Sequence, residues 1–227
     1  MVDDTLLVLL NNRCFLYSYL QQAFAKEPDL HFLASAADDH TEEECALLDD
    51  ELEEGSTLQK EIAHIASLAL KDDAVAATLK DEYTKLMIGP GTLPAPPWES
   101  VYICGDTLLF QESTLRAREA YRLAGLKAAE YPHEADDHLA IELSYMFALA
   151  QRTLEAYQAD DEAETTKELI ALQSDFLSAH LNKWLSAFCE RLCSASGISA
   201  FYPSFAELVQ LVCRRDAILL DEMKSRL

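Results

Sequence analysis

Basic residues are scarce in this sequence. Lys and Arg number 18 against 40 Asp and Glu, a formal net charge of −22. So acidic a chain disfavours nucleic acid and anionic membrane as partners, because both repel a polyanion. A basic partner or simple solubility remains. Glycine (6) and proline (7) are sparse across the 227 residues, which disfavours a turn-rich β fold. Long apolar runs are missing too. Charge-free stretches such as Cys14–Ala25 and Leu86–Trp98 fall short of the ~18 residues needed to span a bilayer, and prolines break the second. Met1-Val2-Asp3-Asp4 is acidic where a secretory signal would be basic. The cysteines (Cys14, Cys45, Cys104, Cys189, Cys193, Cys213) form no Cys-x-x-Cys pair. Cys189 and Cys193 share a helix face and read as small buried hydrophobes before a redox or metal pair. The expectation is a soluble, reduced, cytoplasmic protein.

What is present is helical periodicity. Half of the residues are hydrophobic and 26% are charged, as in a globular protein. Leu6, Leu9, Leu10, Cys14, Tyr17 and Phe24 line one face of a first helix, with Asp3 and Asp4 at its positive end and Pro28 just beyond it. Acidic segments follow at Thr41–Glu54 and Ser56–Lys71, separated by Gly55, with Ser56 placed to cap the second. Asp72 and Asp73 open a helix that turns Val75, Leu79, Tyr83 and Leu86 inward. Then Gly89-Pro90-Gly91-Thr92-Leu93-Pro94-Ala95-Pro96-Pro97-Trp98 stops all helical continuation. So rigid and apolar a segment is a hinge or a docked loop. Helices resume from Ser113 to Ala124, with Gly125 as a C-terminal cap. Another begins near Asp136 and buries Leu139, Leu143, Phe147, Ala150, Leu154 and Tyr157. A third follows Asp160–Glu164 and buries Leu177, Leu181, Trp184, Leu185, Phe188 and Leu192. The last runs from about Ser204 toward Ser225, led in by Pro203.

The predicted fold is all-α: a helical bundle of roughly ten helices with a Pro-rich hinge loop near residues 89–98. Residues 1–227 read as one helical domain, in which residues 1–88 form the N-terminal helical region, 89–98 the hinge and 99–227 the C-terminal helical region. A hinge of this kind permits a domain-swapped dimer beside the monomer.

Enzyme signatures are missing. The sequence has no Walker A motif, no Gly-x-Gly-x-x-Gly, no Gly-x-Ser-x-Gly and no His-Glu-x-x-His. Glu61–His64 and Glu130–His133 have the Glu-x-x-His spacing of di-iron bundles, although Pro132 interrupts the second pair. A metal-dependent helical-bundle enzyme built on these pairs is therefore one alternative. A generic helical scaffold or regulator is another.

Two longer motifs are more specific. The first is Glu82-Tyr83-Thr84-Lys85-Leu86-Met87-Ile88-Gly89, followed by Pro96-Pro97-Trp98-Glu99-Ser100-Val101-Tyr102. The second is Glu134-Ala135-Asp136-Asp137-His138-Leu139, running into Glu142-Leu143. Together they resemble the TorD/DmsD/NarJ family of cytoplasmic redox-enzyme maturation chaperones, closest to its TorD/DmsD branch. Phe176-Leu177, His180-Leu181 and Trp184, and the later Phe201-Tyr202-Pro203, are similar to the family's late helices. Met87 stands where the family has Phe, and Ala135 where it has Pro.

The resemblance implies a non-enzymatic chaperone. It would bind the twin-arginine signal peptide, the apo form, or both, of a molybdopterin-containing oxidoreductase subunit of the DMSO/TMAO reductase type. It would assist cofactor insertion and proofreading before Tat export. Asp137 and His138 match the family's signal-peptide motif, with Glu134 beside them. Their plainer reading is a helix cap and a local hydrogen-bond network through Glu142 and Tyr145. Trp98, Ser100 and Tyr102 would line an apolar groove by the proline loop. Glu82, Tyr83, Leu86, Gly89 and Pro97 match family positions that serve the fold. No cofactor or metal is implied. GTP is associated with the family, but no phosphate-cradling loop is present. An apolar leader would gain ~25 cal/mol per Å² buried, while exposed Arg–carboxylate pairs contribute only ~0–1 kcal/mol each.

Overall fold

The structure is a computed structural model and describes residues 4–49, 53–103, 112–128, 134–159 and 163–226. These residues form eleven α-helices and one π-helical turn. The helices are α1 (Asp4–Ala25), α2 (Leu30–Ala36), α3 (Asp39–Ala46), α4 (Glu54–Ala69), α5 (Asp73–Tyr83), α6 (Glu99–Ile103), α7 (Glu112–Leu123), α8 (Leu139–Gln158), α9 (Ala163–Ala179), α10 (Leu181–Cys193) and α11 (Phe201–Arg226). The π turn spans Thr84–Ile88 and extends α5. Among the described residues the nearest thing to β structure is an isolated antiparallel bridge, Trp98 to His138. None of the described helices is long and apolar enough to cross a membrane.

The chain forms two compact units. One comprises Met1–Gln21, Trp98–Trp184 and Cys213–Leu227; the other comprises Gln22–Pro97 and Leu185–Val212. The chain passes from one to the other at Pro97–Trp98, where the proline segment ends, and also within α1, α10 and α11.

In the first unit, apolar residues at three- and four-residue spacing along α8 (Leu139, Leu143, Met146, Leu149, Ala150) are all buried. They pack on α9, which contributes Ile170, Phe176 and Leu177. Each buried Leu, Ile, Met or Phe among them stabilises the unit by ~1.5–3 kcal/mol relative to exposure. Tyr121, Tyr145, Phe176 and His180 form a ring cluster with neighbouring centroids 4.6 to 4.7 Å apart. A charged group is buried here as well. Arg13 of α1 bonds both carboxylate oxygens of Asp216 (2.5 and 3.0 Å) and the amide oxygen of Gln173 (2.5 Å). The Tyr17 hydroxyl donates to the same Asp216 at 2.6 Å. The burial of Arg13 is not legible in the helical pattern, because its partner Asp216 lies 203 residues away.

In the second unit, α4 packs against α2, α3 and α5. An aromatic core of Phe24, Phe32, Phe188, Phe201 and Phe205 lies within it. Aspartates start its helices. Asp29, Asp38 and Asp72 each accept a backbone N–H in the first turn of α2, α3 and α5.

Several boundaries differ from the sequence expectations, each for a physical reason. Ser56 does not cap α4, and Gly55 does not separate two helices. Glu53 is left-handed at the cap position without a side-chain bond. Asp49 instead reaches across the turn and accepts the N–H groups of Gly55 and Ser56. Gly55 lies inside the first turn, where a Cβ would come within 2.5 Å of the Cys45 carbonyl oxygen. The acidic run from Thr41 leaves helical geometry after Ala46. α8 begins at Leu139 rather than near Asp136, because His138 is its cap. One expected late helix is two, α9 and α10, parted at His180 without glycine or proline. Finally, α11 starts at Phe201, so Pro203 sits in its first turn, where no intrahelical N–H is needed.

Candidate functional site

The Trp98–Tyr102 end of the first motif meets the second motif in the first unit. Trp98 and His138 pair as a β-bridge, and the indole meets the imidazole edge-on at 5.5 Å. The indole N–H donates to Glu134 at 2.9 Å. The short helix α6 follows directly, and its free N–H groups need acceptors. Asp137 supplies them. Its carbonyl accepts from Glu99 N–H (3.0 Å) and its carboxylate from Ser100 N–H (2.9 Å). The second carboxylate oxygen accepts from the Thr114 hydroxyl of α7 at 2.8 Å. Asp137 thus caps a helix that is remote in sequence and ties it to a third element. Next to it, Asp136 pairs with Arg118 at 2.5 Å, and its carbonyl accepts from the Tyr121 hydroxyl at 2.7 Å.

Exposure sorts these residues. Asp137 and Ser100 are fully buried and His138 is 8% exposed, whereas Trp98, Tyr102 and Glu134 are only half-buried. Asp137 and His138 therefore lie beneath the surface that Trp98 and Glu134 present. His138 Nδ1 accepts from the Ala140 N–H at 3.1 Å and caps α8. Burial lowers its pKa from 6.5, outweighing the carboxylates of Glu134 and Asp137. The neutral ring is the form that can accept. With the folded value below the unfolded one, this stability is fully present above pH 6.5 and is lost as pH falls through the lowered value. His138→Ala is expected to cost about 1 kcal/mol at pH 8, and His138→Asn less, since Asn also caps. Urea melts at pH 8 and pH 5 check this; the cost of the Ala variant should shrink at pH 5.

The same unit holds a second polar group. Tyr102 stacks on Trp184 at 5.4 Å, and the Trp184 indole donates to Glu142 at 3.1 Å. Glu99 bonds His180 Nδ1 at 2.8 Å. Glu99, Glu142 and His180 each offer an atom within 4.8 Å of the others, and all three are buried. Burial and the neighbouring carboxylates of Glu99 and Asp137 push the Glu142 pKa well above the usual range.

The other motif residues belong to the second unit. Glu82 accepts from Ser199 N–H (2.6 Å) and Oγ (2.7 Å). The Tyr83 hydroxyl donates to the Phe24 carbonyl, and Leu86 is fully buried. Gly89, at φ 98°, donates its N–H to Thr84 and closes the π turn. Pro97 is buried.

The sequence profile of the nitrate reductase delta subunit family matches residues 42–190, which takes in both motifs and most of the helices that carry them. The chain belongs to this family. Over 220 residues it is 31% identical to the chaperone protein TorD of Vibrio cholerae, covering 95% of each chain. It is 29% identical over 134 residues to the Tat proofreading chaperone DmsD of Salmonella typhimurium, covering 59% of this chain and 58% of the relative. Among solved structures, a protein described as a redox enzyme maturation protein from Archaeoglobus fulgidus superposes with a TM-score of 0.54 at 21% identity. That match covers 89% of this chain and 93% of the other, and shows a shared fold.

In this family member the Glu61–His64 pair of the metal alternative does not build a metal centre among the described residues. Glu61 and His64 are both exposed on α4, and no third donor joins them among the described residues. The Glu130–His133 pair lies outside the described residues. The grouped donors are instead Glu99, Glu142 and His180, which Glu-x-x-His spacing cannot find because three separate elements supply them. A signal did exist. Glu142 interrupts the apolar face of α8 between Leu139, Leu143 and Met146, and His180 stands between Phe176, Leu177 and Leu181.

Proposed function

We propose that the protein is a chaperone for the maturation of a redox enzyme subunit. Its client would be the precursor of a molybdopterin-containing oxidoreductase of the DMSO/TMAO reductase type, recognised through its twin-arginine leader, its apo body, or both. The protein holds the client in the cytoplasm until the cofactor is in place. The carrying observation is the match to the TorD chaperone across 95% of both chains. The DmsD relative, named a Tat proofreading chaperone, supports a leader as ligand.

The chemistry of the chain fits that ligand. A twin-arginine leader joins two guanidiniums to an apolar, helix-prone segment. The net charge of −22 attracts the first. The half-buried indole of Trp98 stands beside the Glu134 carboxylate, and α6 and α7 of the same unit leave Ile103, Leu115 and Leu123 exposed. In this reading Trp98, Tyr102 and Glu134 touch the leader. Asp137, His138 and Ser100 act through them by fixing α6 and the bridge. Carboxylates set encounter and register, and apolar burial sets dwell time.

Co-expression of the full chain with a leader-bearing oxidoreductase precursor, followed by affinity purification, tests the proposal. The precursor should co-purify with little cofactor bound. Its complete absence from the eluate would overturn the reading.

A further inference from the structure

We propose that Glu99, Glu142 and His180 form a binding site for one divalent first-row transition cation, Zn²⁺ by donor type. Both carboxylates and the imidazole are buried and converge within 4.8 Å of one another. A Zn²⁺ ion takes carboxylate oxygen and imidazole nitrogen at about 2.0–2.2 Å, so donors ringed at this separation need only small side-chain adjustments to meet it. Carboxylate with imidazole suits Zn²⁺ or Fe²⁺ better than the all-oxygen cages of Ca²⁺.

A further observation points to a cation. Glu142 is fully buried, yet its Oε1 has no hydrogen-bond partner among the described residues, while Oε2 accepts from Trp184. A buried carboxyl oxygen without a partner is costly, and a cation is one group that would meet it. Among the described residues the basic group that pairs with either glutamate is His180.

The donors are also held as metal ligands are held. Glu99 is the first residue of α6, fixed by its N–H bond to Asp137. Glu142 lies in the first turn of α8, and its carboxylate is oriented by the Trp184 indole N–H. His180 sits between α9 and α10 with its ring stacked on Phe176 at 4.6 Å. Such outer partners set ligand orientation in metal sites. When the cation binds, His180 coordinates as neutral imidazole through Nδ1 and both glutamates as carboxylates, so any protons they carry leave to solvent. The cation would join α6, α8 and the α9–α10 turn, with the ligand Glu99 next to Trp98 in the chain. It would therefore stiffen the packing of these three elements. This inference does not depend on the chaperone reading.

The test uses the full chain, stripped with a chelator and dialysed. Co²⁺ serves as an optical probe and Zn²⁺ as competitor. One equivalent of Co²⁺ should give visible absorption of a low-coordinate N/O site, and one equivalent of Zn²⁺ should abolish it. Zn²⁺ at about 100 times its dissociation constant should raise the melting temperature by several degrees. Glu142→Gln keeps the bond from Trp184 and removes the charge. It should melt cooperatively and lose the stoichiometric signal, as should Glu99→Gln, while His64→Ala retains it. The inference is overturned if the wild-type chain takes up no stoichiometric metal, or if both glutamine variants bind as tightly as wild type.

Discussion

Asp137→Ala is expected to destabilise the protein by about 3–5 kcal/mol, the cost of opening a buried, charge-assisted hydrogen-bond centre. The carboxylate accepts from the Ser100 N–H and from the Thr114 hydroxyl, and the residue is fully buried. Truncation leaves both donors without acceptors in the interior. The first turn of α6 then loses its cap, and the loop that carries Trp98 loses its anchor. Asp137→Asn keeps one acceptor oxygen and should cost roughly half as much. Urea unfolding followed by circular dichroism measures both. The sequence motif alone takes Asp137 as a residue that touches the leader, which would leave stability almost unchanged in the Ala variant. Burial predicts the opposite. Any loss of leader binding should follow the displaced indole of Trp98 and not a missing contact.

Asp216→Ala should have an effect of similar size, about 3–5 kcal/mol, through a different route. Its carboxylate is the counter-charge of the buried Arg13 and also takes the Tyr17 hydroxyl. The guanidinium is buried, with Gln173 as its other partner, so removing Asp216 strands a cation in the interior. Replacing both, Arg13→Met with Asp216→Leu, should cost markedly less than Asp216→Ala alone, because the stranded charge is gone. Equal costs for the single and double variants would show that the pair contributes through packing rather than charge. The comparison is made by denaturant midpoints at constant m-value.

What could be seen in the sequence was whatever depends on near neighbours. α8 was legible because Leu139, Leu143 and Ala150 repeat at helical spacing, and α5 because Asp72 and Asp73 precede such a repeat. The link between the Pro97-Trp98 segment and the Asp137-His138 segment was legible only as two motifs. Their physical union depends on bonds between residues 36 and 37 positions apart. The same distance hid the cap of α8. Asp136 and Asp137 are better cap formers than histidine by residue type, but Arg118, Ser100 and Thr114 engage them, and His138 takes the position. Arg13 was hidden because a helical pattern sends charge to solvent unless the partner, here 203 residues away, is known. The α9–α10 break carries no glycine or proline. It falls where His180 reaches Glu99, another contact that only the folded chain makes.

The most direct test of the chaperone account is calorimetric titration of the full chain with the twin-arginine leader of a molybdopterin oxidoreductase precursor from the same organism. A second leader carries Lys-Lys in place of Arg-Arg. Lysine keeps the charge and removes the guanidinium fork, so loss of one bidentate pair should weaken binding about tenfold. The account predicts one-to-one binding of the arginine leader and that loss for its lysine counterpart. Equal heats and equal affinities for both peptides, or no binding of either, would contradict leader recognition and favour a helical scaffold indifferent to the two arginines.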